Sequence, residues 1–310
     1  MQDLTRQLYL NRFSDLPDST KGVLFLLVAA LGFSVMVALL KVAGENLHVA
    51  QILFVRQAGM VVMALPAILT NFPGSLRTRR LDLQLTRVGF ALVAMLFGFS
   101  AVIHMPLADA VTLGFAKGLF VTVFAVLILQ EQVGPYRWGA VVVGLIGVVV
   151  MLRPGTEGFS VYGIYAVVGA ACAGAVMVII RLLSRYDHPN TILAYQSLGV
   201  GIAMLIPGVY FWKWPTPVEW AILIGIACVS YLAQLCNIYA HKWGEASMLA
   251  SLDYTRLLYA TLIGWLVFET FPDAITWMGA GVIIGASILT VYREHKLKRA
   301  SGLGLPGQFS

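Results

Sequence analysis

The chain repeats one pattern, first as ADAVTLGFAKGLFVTVFAVLILQEQ at residues 108–132 and again as ASMLASLDYTRLLYATLIGWLVFET at residues 246–270. Each copy is an apolar run of helical length that ends near an acid, Glu131 in the first copy and Glu269 in the second. A tryptophan then opens a second apolar run with several glycines, WGAVVVGLIGVVVML from residue 138 and WMGAGVIIGASILTVY from residue 277. Duplicated blocks of apolar helices are typical of secondary transporters.

The composition places the chain in a membrane. Hydrophobic residues make up 59% of its 310 residues and charged residues only 12%, whereas roughly a quarter of the residues in soluble domains are charged. A helix needs about 20 apolar residues to cross the hydrocarbon layer. Ten runs of about that length are present, at 22–43, 49–70, 87–105, 109–129, 136–152, 159–181, 191–212, 217–239, 246–268 and 274–292. The sequence predicts an all-α polytopic membrane protein with ten transmembrane helices.

A polar break, RPGTEGFS at residues 153–160, divides these runs into two halves of five. Because five is odd, the second half enters the membrane in the opposite sense, so the halves are predicted to be inverted-topology five-helix repeats. We expect a first repeat at 22–153 and a second at 158–293. A cytoplasmic N-terminal segment, 1–21, and a cytoplasmic tail, 294–310, complete the predicted organisation.

The basic residues predict the orientation. If the N-terminus is cytoplasmic, the loops on the outer side carry only Lys41, Arg153 and Lys213. The clusters at 77–87 and 293–299 then face the cytoplasm, which is the side that favours positive loops. We therefore predict a multi-pass protein of the inner or plasma membrane with both termini cytoplasmic. The basic excess follows from this topology, and no nucleic-acid partner is expected.

Cysteine and glycine spacing adds two expectations. The three cysteines lie inside predicted spans without CxxC spacing, so neither a disulfide nor a metal site is expected, and the chain carries no motif for a cofactor. Gly169 with Ala173, and Gly281 with Gly285, place small residues four apart. This spacing predicts faces on which two membrane helices approach closely.

Three bases fall well inside predicted spans: Arg56 in the second, Lys117 in the fourth and Arg256 in the ninth. Inserting each of these charged side chains into the hydrocarbon layer costs about 2.5–3.5 kcal/mol, so each needs a structural or functional explanation. Asp253 lies three residues before Arg256, on the same helix face, and could pair with it. Lys117 has no acid close to it in sequence. Each base is therefore either a cavity-facing binding group or part of a structural ion pair.

Amide and aromatic side chains in neighbouring spans suit a polar, ring-bearing solute. The predicted substrate-binding residues are Arg56, Lys117, Tyr231, Gln234, Tyr254 and Arg256. A gating or coupling role is predicted for Glu131, Glu269 and Asp253, although the two glutamates could equally be solvated helix ends.

The motifs FSVMVALLK (33–41), FVRQAGM (54–60), PLADA (106–110) and LDYTRLLYATLIGWLVFE (252–269) resemble the EamA domain of the drug/metabolite transporter superfamily. The resemblance implies a bundle of five plus five inverted helices and a cavity lined by the first four helices of each half. It also implies alternating access by rocking of the halves, with the fifth and tenth helices outside as a homodimer contact. The first span lacks the acid that many members carry, which argues against a proton relay there.

The predicted function is secondary transport of a small polar metabolite across the lipid bilayer. Riboflavin, S-adenosylmethionine and amino-acid-like compounds are the candidate cargoes, and the basic residues suggest an anionic, zwitterionic or electron-rich solute. An enzyme is not expected. The alternatives are a membrane acyltransferase that uses the HxxxxD pair His104 and Asp109, and a channel.

Overall fold

The computed structural model describes residues 17–69, 77–130, 134–156, 158–187, 189–243 and 252–286. Throughout these ranges the chain forms helices and turns and no β-strand, which is how a single chain can satisfy its backbone polar groups in lipid. Glu131, the first sixteen residues and the tail lie outside the described residues.

The helices, in chain order, are α1 (Asp18–Ala43), α2 (Val49–Leu69), α3 (Leu81–His104), α4 (Leu107–Gly114), α5 (Lys117–Leu129), α6 (Pro135–Leu152), α7 (Val161–Leu183), α8 (Pro189–Tyr210), α9 (Pro217–Trp243) and α10 (Thr255–Phe268). A further helix, α11 (Ala274–Ala286), follows.

Seven segments are long and apolar enough to cross a membrane, namely Thr20–Ala43, Val49–Pro66, Leu81–His104, Leu107–Leu129, Val161–Leu183, Thr191–Tyr210 and Pro217–Ala240. Three shorter apolar helices are Trp138–Leu152, Thr255–Phe268 and Ala274–Ala286. Each predicted run overlaps one of these segments. The prediction of an all-helical, multi-pass membrane protein is therefore confirmed at this level.

The backbone turns at corresponding points of the duplicated pattern, and we call these two turns the helix breaks. Between α4 and α5 the chain turns at Phe115 and Ala116, and before α10 it turns at Asp253 and Tyr254. Backbone bonds between residues three apart bridge both turns, such as Gly118 N to Phe115 O and Arg256 N to Asp253 O. A tight stretch of this kind inside a membrane helix often marks a functional site.

The helices pack as two groups joined by α2 and α8. We call α1, α9 and α10 the α1 bundle, because α1 packs on both others, and α3, α5 and α7 the α3 bundle, because α7 packs on both others. Helices α2 and α8 pack on each other, and also on α9 and α3 respectively. The two helix breaks meet between the two bundles, where Lys117 beside the first lies 3.5 Å from Asp253 in the second.

Glycine allows a close approach inside the α3 bundle. A Cβ atom at Gly169 of α7 would lie 2.9 Å from the backbone nitrogen of Gly98 in α3, so the predicted small-residue face at Gly169 is confirmed. The predicted face at Gly281 and Gly285 meets no helix of the described part of the chain, since a Cβ atom at either would meet none of its atoms within 4 Å, and it stays a prediction. Helix α11 instead approaches α6 through Gly279, where a Cβ atom would lie 2.2 Å from Met151 Cγ.

One end of the space between the bundles is closed. An apolar cluster that includes Leu40, Leu107 and Leu223, each 0% exposed, joins α1, α4 and α9 there. Lys41 Nζ donates hydrogen bonds to the carbonyls of Met105 and Val102 at the end of α3. We call this the Leu107 end, and the opposite end, at the α7–α8 turn, the Asp187 end.

Candidate functional site

A cavity of about 600 Å³ lies between the α1 and α3 bundles. We call it the larger cavity. Its lining runs from Phe115 and Lys117 at the break of the fourth span to Ile180 and Ser184 at the C-terminus of α7. Because Ser184 adjoins the Asp187 end and the Leu107 end is sealed, the larger cavity extends towards the Asp187 end.

An ion-pair cluster at the two helix breaks joins the bundles. Lys117 Nζ, from the α3 bundle, lies 3.5 Å from Asp253 Oδ2. Arg256 Nη1, from the α1 bundle, lies 3.9 Å from Asp253 Oδ1. The predicted pairing of Asp253 with Arg256 is confirmed, and Asp253 is also the acid partner that Lys117 lacks in its own stretch of sequence. Both contacts are long for charge-assisted hydrogen bonds.

Both bases of this cluster line the larger cavity. The side chains of Lys117 and Arg256 are each 24% exposed, so a solute in the cavity can reach them. Arg256 also lies over the ring of Phe33, with 4.7 Å between the guanidinium carbon and the ring centroid. That contact holds the guanidinium in place while leaving its N–H groups free to change partners.

Arg87 is a lining residue that the sequence prediction placed in a cytoplasmic loop. Helix α3 begins at Leu81 rather than at residue 87, so Arg87 lies inside the helix and is 2% exposed. Its guanidinium donates to the carbonyl of Ile192 at 2.9 Å and to Gln196 Oε1 at 2.5 Å. The spacing of Gln84, Arg87 and Ala91, which places them on one helix face, was the available signal.

A second cavity of about 220 Å³ lies between α2, α8 and α9. We call it the smaller cavity. Its polar lining residues include Gln57, Ser197, Tyr231 and Gln234. Four residues line both cavities, namely Leu193, Gln196, Gln234 and Ile238. The predicted positions of Tyr231 and Gln234 on a cavity wall agree with this geometry.

Arg56 and Tyr254, also predicted to bind substrate, are not among the lining residues of either cavity. Arg56 is 6% exposed. It donates to Ser230 Oγ at 2.9 Å and to Gln57 Oε1 at 2.7 Å, so it faces the smaller cavity only through Gln57. Tyr254 packs against Phe115 with 5.0 Å between ring centroids, which joins the two helix breaks.

Glu269 lies in a third space, of about 500 Å³, at the Leu107 end. We call it the Arg153 pocket. His104 and Asp109, the acyltransferase pair considered above, also line it. The His104 ring stacks on Tyr162 at 4.0 Å, and its Nδ1 atom bonds with the carbonyl of Ser100. The apolar cluster of the Leu107 end separates this pocket from the larger cavity.

The Arg153–Asp273 ion pair bridges the two halves of the chain at this pocket. Their side-chain atoms are 2.5 Å apart, and the hydrogen bond from Arg153 lowers the pKa of Asp273 from 3.8 to about 2. A depressed pKa stabilises the fold above the unfolded value and loses that stabilisation as the pH falls towards 2. Asp273 is therefore ionised throughout the physiological range.

We expect the melting temperature of the Asp273→Asn variant to depend on pH between about 5 and 8 in the same way as that of the parent. Asp273 stays ionised in this range and asparagine does not titrate, so residue 273 takes up no proton in either protein. The melting temperature of the variant should be only slightly lower, because the Asp273 side chain is 49% exposed and exposed ion pairs contribute about 0–1 kcal/mol. Unfolding curves in detergent at several pH values measure this. Curves that diverge towards pH 5 would contradict it.

The chain is similar to a known protein family and to several known proteins. The model of the EamA-like transporter family matches it twice, over residues 20–153 and 161–292. The riboflavin transporter of Vibrio cholerae is 28% identical over 90% of this chain and 96% of its own length. The pseudopaline exporter CntI of Pseudomonas aeruginosa is 32% identical over 89% and 97%. The S-adenosylmethionine uptake transporter of Rickettsia prowazekii is 26% identical over 89% and 94%.

A solved crystal structure is also similar, with a TM-score of 0.62 over 90% of this chain and 99% of the other. The two sequences are 18% identical, so this likeness shows the fold alone.

Proposed function

Because the chain belongs to the EamA-like transporter family, we propose that it is a secondary transporter that moves a small polar metabolite across an inner or plasma membrane by alternating access. The observation that carries this proposal is the larger cavity, which is lined by Phe115 and Lys117 at the first helix break and by Arg256, two residues beyond the second. Transporter sites lie near the bilayer midplane, where discontinuous helices free polar groups to face a solute.

The packing of the helices supports the inverted repeat. Exchanging each helix with its counterpart in the other half turns the pair α1–α9 into α7–α3 and the pair α1–α10 into α7–α5, all of which pack together. Helices α2 and α8 are each other's counterparts and pack together, so the exchange leaves this pair unchanged. The separate family matches to the two halves point the same way. We therefore retain ten helices in two inverted repeats of five, at 22–153 and 158–293, as part of the proposal.

In this proposal the described conformation is open to one side and rocking of the α1 bundle against the α3 bundle opens the other. The positive loops make the Asp187 end cytoplasmic, so both termini are cytoplasmic. The Lys41 contacts and the Leu107 cluster form the closed gate. Glu269 and the Arg153–Asp273 pair belong to that gate, and Glu131 keeps its gating role as a prediction. A homodimer through α6 and α11 also remains a prediction.

The charge of the larger cavity favours some cargoes over others. Three bases line it, Arg87, Lys117 and Arg256, and of the described lining residues none is acidic. Asp253 touches two of these bases without balancing all three. A buried excess of positive charge favours an anionic or zwitterionic solute. Amino-acid-like compounds carry the carboxylate that these bases can bind. Riboflavin is neutral and so meets less repulsion in the cavity than S-adenosylmethionine, whose sulfonium is a fixed cation.

The test is uptake of labelled riboflavin, S-adenosylmethionine and mixed amino acids into cells that lack their own pathways for these solutes. Both directions need to be measured, because the relatives include an exporter and an uptake transporter. Saturable movement of one compound supports a carrier. Flux that does not saturate indicates a channel, and a lipid product that is lost in a His104→Ala variant indicates the acyltransferase.

We expect the Arg256→Ala variant to lower that flux at least tenfold, since one charged contact contributes about 1.5–3 kcal/mol of binding free energy and each 1.4 kcal/mol is a factor of about ten. The matched control is Arg185→Ala, which removes an exposed arginine in the α7–α8 turn. Flux is compared at equal membrane expression. Equal flux in both variants would contradict a binding role for Arg256.

A further inference from the structure

Two buried hydrogen-bond donors at the cavities have no partner among the described residues. Gln57 is 1% exposed and its Nε2 atom donates to nothing. Arg87 is 2% exposed, and its Nε atom is likewise unpaired. Buried donors without a partner are rare, and each costs about 1–3 kcal/mol, so a pair of them at cavity walls indicates a ligand that supplies acceptors.

The two donors belong to different cavities. Gln57 lines the smaller cavity and Arg87 lines the larger one. Gln196 lines both cavities, and its Oε1 atom accepts a hydrogen bond from Arg87. Arg87 therefore holds in place a side chain that stands between the two cavities. A solute bound across both cavities would meet both donors.

The two cavities differ in chemistry. The larger cavity offers the positive groups of Arg87, Lys117 and Arg256, whereas the smaller one offers the neutral groups of Gln57 and Tyr231. Gln57 cannot turn its amide round to pair Nε2, because its Oε1 already accepts a hydrogen bond from Arg56 at 2.7 Å. Arg56 therefore holds Oε1 as the acceptor and leaves Nε2 as the buried, unpaired donor of a residue that lines the smaller cavity.

We propose that the two cavities form one two-part binding site for a metabolite that carries an anionic group at one end and a ring with a carbonyl acceptor at the other. The anionic group binds in the larger cavity beside Lys117 and Arg256. The ring enters the smaller cavity, where its carbonyl accepts from Gln57 Nε2 and its face lies against Tyr231. This inference rests on the proposed function and adds a residue, Gln57, and a substrate class to it.

The experiment measures equilibrium binding of three labelled probes to the full-length protein in nanodiscs. Riboflavin supplies the ring with its carbonyls, glutarate supplies the anion, and riboflavin 5′-phosphate supplies both. We expect riboflavin 5′-phosphate to bind at least tenfold more tightly than either of the other two. The Gln57→Glu variant keeps an acceptor for Arg56 and removes the donor, so it should weaken both ring-bearing probes at least fivefold and leave glutarate unchanged.

The control is Gln130→Glu, the same chemical change at an exposed position beyond α5. Size-exclusion profiles and melting curves check that both variants fold. Unchanged binding of the ring-bearing probes to Gln57→Glu, or binding of glutarate alone, would overturn the two-part site and leave the carrier intact. Absence of binding by every probe, with no saturable flux in cells, would overturn both the site and the proposed function.

Discussion

Replacing Lys117 with methionine is expected to lower transport at least tenfold. Lys117 is the base that the α3 bundle contributes to the cluster at the helix breaks, where its Nζ lies 3.5 Å from Asp253. In the proposed site its loss removes a contact to the anionic group of the substrate, and such charged contacts contribute about 1.5–3 kcal/mol. Each 1.4 kcal/mol is a factor of about ten in affinity. Initial rates of uptake or efflux at substrate concentrations below saturation measure the effect.

The matched control is Lys213→Met. Lys213 lies between α8 and α9 at the Leu107 end, where its Nζ makes one long hydrogen bond to the carbonyl of Asn46, 3.4 Å away. Its loss should change the rate less than twofold. If Lys117→Met transports as fast as Lys213→Met, with equal amounts of each in the membrane, the cluster is a structural ion pair and has no part in binding.

The second large effect concerns folding. The Gly169→Val variant is expected to lose most of its folded material, because the new Cβ atom would lie 2.9 Å from Gly98 N and 3.2 Å from the Ala94 carbonyl oxygen. Both are backbone atoms, so no rotamer change relieves the contact, and α3 and α7 have to separate. Overpacking of this kind costs about 1–3 kcal/mol and occasionally more. The yield of monodisperse protein and its melting temperature measure the loss.

Gly98 supplies the control for this prediction. It faces Gly169, yet a Cβ atom built on Gly98 itself meets nothing within 4 Å. Gly98→Ala should therefore fold like the parent, although the two glycines belong to the same contact. A melting temperature equally low in Gly98→Ala and Gly169→Val would contradict this prediction. Alanine is a better helix former than glycine, so such a result would show that the contact of a Gly169 Cβ atom with the α3 backbone does not decide stability here.

The membrane helices were predictable because each corresponds to one continuous apolar stretch of sequence. Length and polarity alone located the ten apolar runs, each of which overlaps a helix. Helix breaks are different. Neither Phe115 nor Asp253 carries a signal such as proline, and the backbone turns there only in the context of the packed bundles. The sequence repeat aligns Phe115 with Asp253, but it does not indicate that the backbone turns at either residue.

The contacts of the site were only partly predictable. The pairing of Arg256 with Asp253 follows from helix spacing, whereas that of Lys117 with Asp253 joins residues from opposite halves of the chain. Sequence spacing cannot show such a contact. Arg87 was missed for another reason: a base near a span end is ordinarily assigned to a loop, and only the longer helix α3 buries it.

The remaining predicted binding residues differ in whether their side chains line a cavity. Tyr231 and Gln234 line a cavity, while Arg56 and Tyr254 lie behind the lining residues. Gln57, next to Arg56, presents the donor instead. A single position along a helix rotates the side chain by about 100°, so a sequence can identify the polar segment of a helix without identifying the side chain that meets the solute.

In a carrier that works by alternating access, the excess of bases around the larger cavity would also make transport sensitive to voltage. A membrane potential does about 2.3 kcal/mol of work on one elementary charge for each 100 mV. When an empty carrier changes the side to which its positive cavity is exposed, that charge moves relative to the electric field. A bound anion cancels part of it. The loaded and empty carriers therefore respond to the membrane potential to different extents, and the electrical state of the cell selects which of the two steps limits the cycle.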